Sequence, residues 1–397
     1  MRVTVNGYEE AERALRAAAP HDLLDTLRRV LTRRYQARSV DLLMADYSLT
    51  VLQPVSVLPR TTEPLSLHNS PQGRAFGAQE PIREEQGATD GLRLHLPVTV
   101  RGDRLGVLTV ALPASACPPA VQAELADIAE MLAHAVTVAE RDTDLYLQAR
   151  RKDRLTLAAE MQWQLLPGRA CSRDEYAIGA QLEPAYAVHG DNFDWSTSAG
   201  HLALTVTNGM GEGMDAALLT NLTINALRNA RRAGVSIADQ AALADQAVYA
   251  QHRGDAHLSV LLLDFELATG RVRVVDAGSP RLLLLREGAV TSVDFDAQLP
   301  LGMFEETEYT AQEFDVRPGD RLVFVSDGVH AVASPAGEVY GERALTRAIN
   351  ATRLLPPAEM PRAVLRELTG HRGRALPDDD ALVVCLDWHG RPAGDRS

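Results

Sequence analysis

Four stretches in the second half of the chain set acidic or amide side chains against tight glycine turns and strand ends. They are HGDNFD (189–194), TNGMGEG (207–213), VSDGV (325–329) and PDDDAL (377–382). Taken singly, aspartate beside glycine after an apolar run is ordinary turn composition, because both residues suit the backbone angles a turn requires. Four such stretches, in a half without a histidine or cysteine ligand cluster, point to one acidic site. Converging carboxylates raise each other's pKa unless a cation neutralises them. An all-oxygen ligand set selects hard ions, Mg2+ or Mn2+, over zinc. Two such ions side by side would activate a water and steady the oxygens of an in-line phosphoryl transfer. The aspartates of these stretches are Asp191, Asp194, Asp327, Asp378, Asp379 and Asp380.

Other chemistries are excluded by what the chain lacks. Lys152 is the only lysine and lies in RRKDR with no glycine near it, which removes a phosphate-binding P-loop and Schiff-base catalysis. The three cysteines, Cys117, Cys171 and Cys385, form no CxxC pair, so neither a zinc ribbon nor a disulfide framework is expected. Cys385 begins a C-x5-R match (CLDWHGR, 385–391) without a glycine-rich cradle, and is read as a buried strand residue. Acidic residues number 53 against 40 basic, a formal net charge of −13, which argues against nucleic acid or an anionic membrane as partner. The N-terminus has no apolar signal core, and the longest apolar run lies around 258–263, far short of the ~20 residues a membrane helix needs. A cytoplasmic protein is expected.

With 397 residues, two or three domains are expected. The first ~140 residues read as a small α+β domain. It has helix over 8–34, strands within 40–58, a hairpin of 92–100 and 105–112 around Arg101-Gly102-Asp103, and a helix after Pro118-Pro119. Neither glycine nor proline interrupts the chain between Pro119 and Pro167, so one long helix is expected there. Leu125, Ile128, Leu132 and Ala135 are spaced like a coiled-coil seam, and the stripe resumes at Leu155, Ala158 and Leu165 after a charged middle. A solvated connecting helix and a parallel dimer seam both fit this pattern. Beyond ~170, strands are expected at 176–182, 202–207, 257–266, 270–276, 281–286, 312–317, 320–326 and 381–387, with helices at 214–233, 237–252, 341–353 and 357–369. Strands and helices come in separate runs, which favours an antiparallel α+β sandwich over a doubly wound sheet.

Order and spacing over roughly 155–387 resemble the SpoIIE/RsbU-like branch of the PPM (PP2C-type) serine/threonine phosphatases. The matching stretches are MQWQLLP (161–167), VHGDNFD (188–194), TNGMGEGMDAALL (207–219), DAGSP (276–280), LPLGM (299–303), PGDRLVFVSDGV (318–329) and PDDDALVV (377–384). SPQGRAFGAQEPI (70–82) and LHLPVTVRGDRLGVLTVAL (94–112) resemble, more diffusely, a GAF sensor domain. The resemblance implies a GAF-like domain over 1–140, a connecting and regulatory helix over 141–168, and a PP2C-type α-β-β-α sandwich over 169–390. It implies a Mn2+ or Mg2+ pair held by Asp191, Asp327 and Asp378, with the backbone carbonyl of Gly209; Asp194 and Asp379 stand behind them. Asn208 occupies the position of the aspartate that bridges the two metals, His189 stands where glycine is usual, and Ser279 where histidine is usual.

The function so implied is a GAF-regulated, metal-dependent protein serine/threonine phosphatase. It would act on a phosphoserine protein, a STAS-type anti-sigma-factor antagonist, as a homodimer. The rival is a pseudophosphatase that binds a partner, because Asn208 offers one neutral oxygen where two ions need a bridging carboxylate.

Overall fold

The computed structural model describes residues 7–55, 63–85, 91–152, 154–184, 188–278, 280–341 and 343–391. The chain divides into two units, Met1–Arg154 and Leu155–Ser397.

In the first unit the elements run α1 (Gly7–Ala17), α2 (Leu23–Tyr35), β1 (Ser39–Ala45), β2 (Val51–Pro54), β3 (Leu65–Ser66), α3 (Pro71–Ala78), β4 (Ile82–Glu85), β5 (Leu92–Val100), β6 (Asp103–Leu112), α4 (Pro119–Ala139) and α5 (Leu145–Ala149). The strands form one antiparallel sheet in the order β3-β2-β1-β6-β5-β4. Its central hairpin turns at Arg101 and Gly102, both with positive φ, as a tight two-residue turn demands. Helices α1, α2 and α4 cover one face, where Leu27, Leu94, Leu96 and Val110 are buried among them. Leu43, Phe76 and Val107 fill the other face beneath α3.

The expected single helix over 119–167 is three helices. α4 ends at Ala139, α5 follows, and α6 (Leu157–Leu165) opens the second unit. Side-chain competition explains the breaks without glycine or proline. Thr143 Oγ1 accepts the Leu145 N–H at 3.3 Å, and Thr156 caps α6 by accepting the Ala159 N–H at 3.2 Å. Tyr146 is buried and donates to the Pro20 carbonyl, which folds α5 back onto its own unit. The seam residues Leu125, Ile128 and Leu132 are fully buried in the core of the first unit, so that stripe is spent inside the domain.

The second unit continues with β7 (Ala170–Ser172), β8 (Tyr176–Glu183), β9 (Asn192–Thr197), β10 (His201–Asn208), α7 (Gly213–Arg232), α8 (Ile237–His252), β11 (Ser259–Glu266) and β12 (Arg271–Ala277). Then come β13 (Arg281–Arg286), β14 (Ala289–Val293), β15 (Gln312–Asp315), β16 (Arg321–Val325), α9 (Asp327–His330), α10 (Ala344–Ala351), α11 (Met360–Arg372) and β17 (Ala381–Trp388). Two antiparallel sheets result, ordered β15-β12-β11-β10-β9 and β14-β13-β16-β17-β8-β7. On the first, Val260, Leu262 and Val275 pack beneath α7 and α8. On the second, Val323, Val383 and Cys385 pack beneath α10 and α11.

Side chains alternate across a strand. The neighbours Leu382, Val384 and Leu386 therefore point the other way, and they too are buried. Phe265 and Trp388 stack between the sheets with ring centroids 5.9 Å apart. Strands buried on both faces need apolar residues at every position, hence RLVFV and ALVVCLDW. The expected α-β-β-α sandwich is what the chain forms. Among the described residues no helix is long and apolar enough to cross a membrane.

Candidate active site

Strand register brings the acidic stretches to one edge of the sandwich. Thr207 of β10 pairs with Asn192 of β9, so Asp191 and Asn208 leave the first sheet at the same end. On the second sheet Val325 of β16 pairs with Val383 of β17. The Ser326 N–H continues that ladder to the Leu382 carbonyl, which sets Asp327 beside the Asp379-Asp380 approach to β17. Two glycines permit these close crossings. A Cβ at Gly209 would stand 2.0 Å from the His189 carbonyl oxygen, and one at Gly328 would stand 1.9 Å from that of Asp380.

Asp380 joins the two sheets. It is fully buried, and its Oδ2 accepts from Gln162 Nε2 at 2.8 Å, His189 N at 3.0 Å and Gly190 N at 2.9 Å. Gln162 Nε2 also donates to the Asp191 carbonyl at 3.0 Å. Helix α6 thus locks the 189–191 turn to the start of β17. Asp194 ties the same region to α7, with Arg228 Nη2 at 2.8 Å and Arg231 Nη2 at 3.0 Å from its carboxylate, while Arg228 also donates to Leu165 O at 2.7 Å. A buried carboxylate with two guanidinium partners is a structural clamp.

The remaining carboxylates are short of positive charge. Asp191 is 1% exposed; its Oδ1 accepts the Gly209 N–H at 3.0 Å, and its Oδ2 is buried without a hydrogen-bond partner. Burial first, then the charge of Asp380, holds the Asp191 carboxyl well above the usual carboxylate range, with Ser326 and the Gly209 N–H pulling the other way. Asp379 is pushed up to about 6 by burial and by Asp327; the Asp380 N–H and His189 oppose the shift. His189 Nδ1 lies 3.6 Å from Asp379 Oδ1. Asp327 accepts the Gly328 N–H at 2.9 Å.

Asp191, Asn208 and Gly209 therefore lie at one edge, and Asp327 lines a cleft there with Asp378 and Asp379. The cleft measures about 390 Å3; Asp378 is exposed in its lining, and Asp379 is the residue whose carboxyl Asp327 pushes up. Because β17 begins at Ala381, Asp380 points into the sandwich and Asp379 toward the cleft. Ser279 lies outside the described residues. Gln162 was not among the expected site residues, and Asp380 was expected only as one acid of the PDDDAL run; the signal for their joint role was slight, a glutamine on an apolar helix stripe and the third aspartate of a run.

An all-oxygen, charge-dense set with an orphaned buried oxygen fits a hard divalent cation. Among the described residues no three histidine, cysteine or acidic side chains converge to ligand distance of a common point, so binding would require the carboxylates to turn inward.

The second unit is similar to known proteins in sequence and in fold. Residues 198–389 match the family described as Stage II sporulation protein E (SpoIIE). Protein IcfG of Synechocystis sp. is 20% identical over 57% of this chain and 40% of its own length, so the chain spans well under half of that relative. Phosphoserine phosphatase RsbU of Bacillus subtilis is 21% identical over 64% of this chain and 76% of its own. Among solved structures, the SiaA-PP2C domain of Pseudomonas aeruginosa superposes with a TM-score of 0.50 at 20% identity, over 58% of this chain and 94% of that one.

Proposed function

We propose that the second unit, whose residues 198–389 match the SpoIIE family, is a PP2C-type phosphatase domain, and that this chain is a metal-dependent protein serine/threonine phosphatase governed by its first unit, a GAF-like sensor. Its substrate on this reading is a phosphoserine protein, in keeping with the name phosphoserine phosphatase borne by RsbU, and of the anti-sigma-factor antagonist class that the sequence resemblance implies. The observation that carries the proposal is the shared edge of Asp191, Asp327 and Asp379, with the buried Asp191 Oδ2 lacking any partner.

Asp191, Asp327 and Asp379, helped by the carbonyl oxygens of Asn208 and Gly209, are the groups that would hold Mn2+ or Mg2+. When bound, such an ion supplies the charge that lets water attack phosphorus at neutral pH and offsets charge on the phosphoryl oxygens. The chain's own residues set the stage. The Gly209 N–H orients the Asp191 carboxylate, and Asp380 with Gln162 fixes the turn that carries it. Through that bond α6 is the element by which a signal would reach the site. Asn208 contributes a neutral oxygen in place of a carboxylate, so the edge holds one ion more firmly than two.

Asn208 and the absence of a ready three-ligand cluster among the described residues favour a second reading, a pseudophosphatase that binds a phosphoprotein without hydrolysing it. Turnover of a generic phosphoester and of a phosphoserine peptide, with Mn2+, Mg2+ or chelator, separates the two. Wild type is expected to show metal-dependent turnover, and Asn208→Asp to gain about 10-fold or more in metal affinity. Rescue confined to Asn208→Asp would establish the pseudophosphatase; silence from both proteins would overturn the phosphatase reading.

A further inference from the structure

The cleft that holds Asp327 and Asp379 is not purely acidic. Arg372, the last residue of α11, lines it beside Gly328 and Leu376. A cation at a helix C-terminus is favoured by the helix dipole, which helps keep the guanidinium there. The side chain is half-buried, and its Nε is buried without a hydrogen-bond partner. Other half-buried arginines of this unit are paired: Arg228 with Asp194, Arg286 with Asp320. Arg372 forms no hydrogen bond or ion pair among the described residues. Its charge is felt by Glu183, whose carboxyl burial pushes up while Arg372 and Arg362 pull it back. A partly desolvated guanidinium whose residue lines a cleft, with no ion-pair partner among the described residues, is suited to take an anion.

We propose that Arg372 is a substrate-binding residue that grips the non-reacting oxygens of the phosphoserine phosphate. The inference rests on the phosphatase reading of the same cleft. A phosphate dianion entering it meets Asp327, Asp378 and Asp379, and Asn208 leaves the edge better suited to one ion than two. An arginine supplies the missing attraction, and its planar fork matches two phosphate oxygens at once. It also makes the cleft select a phosphorylated side chain over a free serine.

The test uses the full-length chain with Mn2+ and two labelled peptides. One carries the non-hydrolysable phosphonate analogue of phosphoserine, the other plain serine, and binding is read by fluorescence anisotropy. Wild type should prefer the phosphonate peptide. Arg372→Ala should weaken that peptide about 10- to 100-fold, as expected for a lost charge-assisted contact, and leave the serine peptide unchanged. Arg372→Lys should fall between, keeping charge without the fork. Arg372→Gln answers the same question should the alanine variant fail to fold. Equal phosphonate affinity in wild type and Arg372→Ala, or no phosphonate preference in wild type, overturns the inference. Arg372-dependent binding without turnover in wild type or Asn208→Asp removes the phosphatase reading alone. Turnover with KM unmoved by Arg372→Ala removes the arginine's role alone.

Discussion

Replacing Asp380 with alanine deletes the acceptor of three N–H groups at once, from Gln162, His189 and Gly190. The site is fully buried, so water does not step in. Gln162 keeps its bond to the Asp191 carbonyl, but the His189 and Gly190 amides lose the acceptor they share. An orphaned buried donor costs about 1–3 kcal/mol, so the two amides together cost about 2–6 kcal/mol. Removing the charge also relieves Asp191 and Asp379, both of which Asp380 pushes up, so a net loss of about 2–4 kcal/mol is expected. Asp380→Asn keeps an oxygen acceptor, enjoys the same relief, and should cost no more than about 1.5 kcal/mol. All three tryptophans, Trp163, Trp195 and Trp388, lie in the second unit. Urea unfolding followed by tryptophan fluorescence therefore reports on that unit within the intact chain. The alanine variant should shift the midpoint far more than the asparagine variant, with unchanged slopes. An alanine variant within about 0.5 kcal/mol of wild type, or equal costs for the two substitutions, would refute the acceptor argument.

Two further expectations follow from the site. Asp379 is raised to about 6, above its unfolded value of about 3.9, so the folded protein prefers its protonated form. Its stabilising contribution is complete below about pH 4 and is lost as pH rises through about 6; Asp191, also raised, acts in the same direction. The urea midpoint of the chelated protein should therefore drop between pH 5 and pH 7, and Asp327→Asn should shrink that drop; a profile unchanged by Asp327→Asn contradicts the assignment. Cys385 is fully buried in β17 and burial pushes its thiol up, so it should resist thiol reagents until unfolding. Cys385→Ala should keep whatever metal-dependent turnover wild type has; complete loss in a folded variant would revive cysteine chemistry.

The strands of the sandwich core were legible because burial on both faces leaves an unbroken apolar run, as in RLVFV and ALVVCLDW. β9 was not, because Asn192 and Asp194 put polar residues in a buried strand. Only the arrival of Arg228 and Arg231 from α7 makes Asp194 tolerable there. The helix breaks near 143 and 156 were hidden for a related reason. Threonine carries little signal as a breaker until its hydroxyl is seen accepting a backbone N–H.

The chemistry of the edge was legible as composition and only partly as geometry. Asp191, Asn208, Gly209 and Asp327 each sit next to a glycine or a strand end that fixes them locally. The run Asp378-Asp379-Asp380 offers three equal candidates, and local rules do not choose among them. Alternation along β17 does choose, but only once Ala381 is known to be its first residue, and that start is set by partners far off in sequence. Asp380 turns inward because Gln162, 218 residues away, and the amides of His189 and Gly190 meet it there. With Asp380 held inside, Asp378 and Asp379 are left lining the cleft with Asp327. A single long-range clamp thus decides which carboxylate of the three is withdrawn from the cleft, and a substitution at Gln162 should disturb the site as surely as one at the cleft itself.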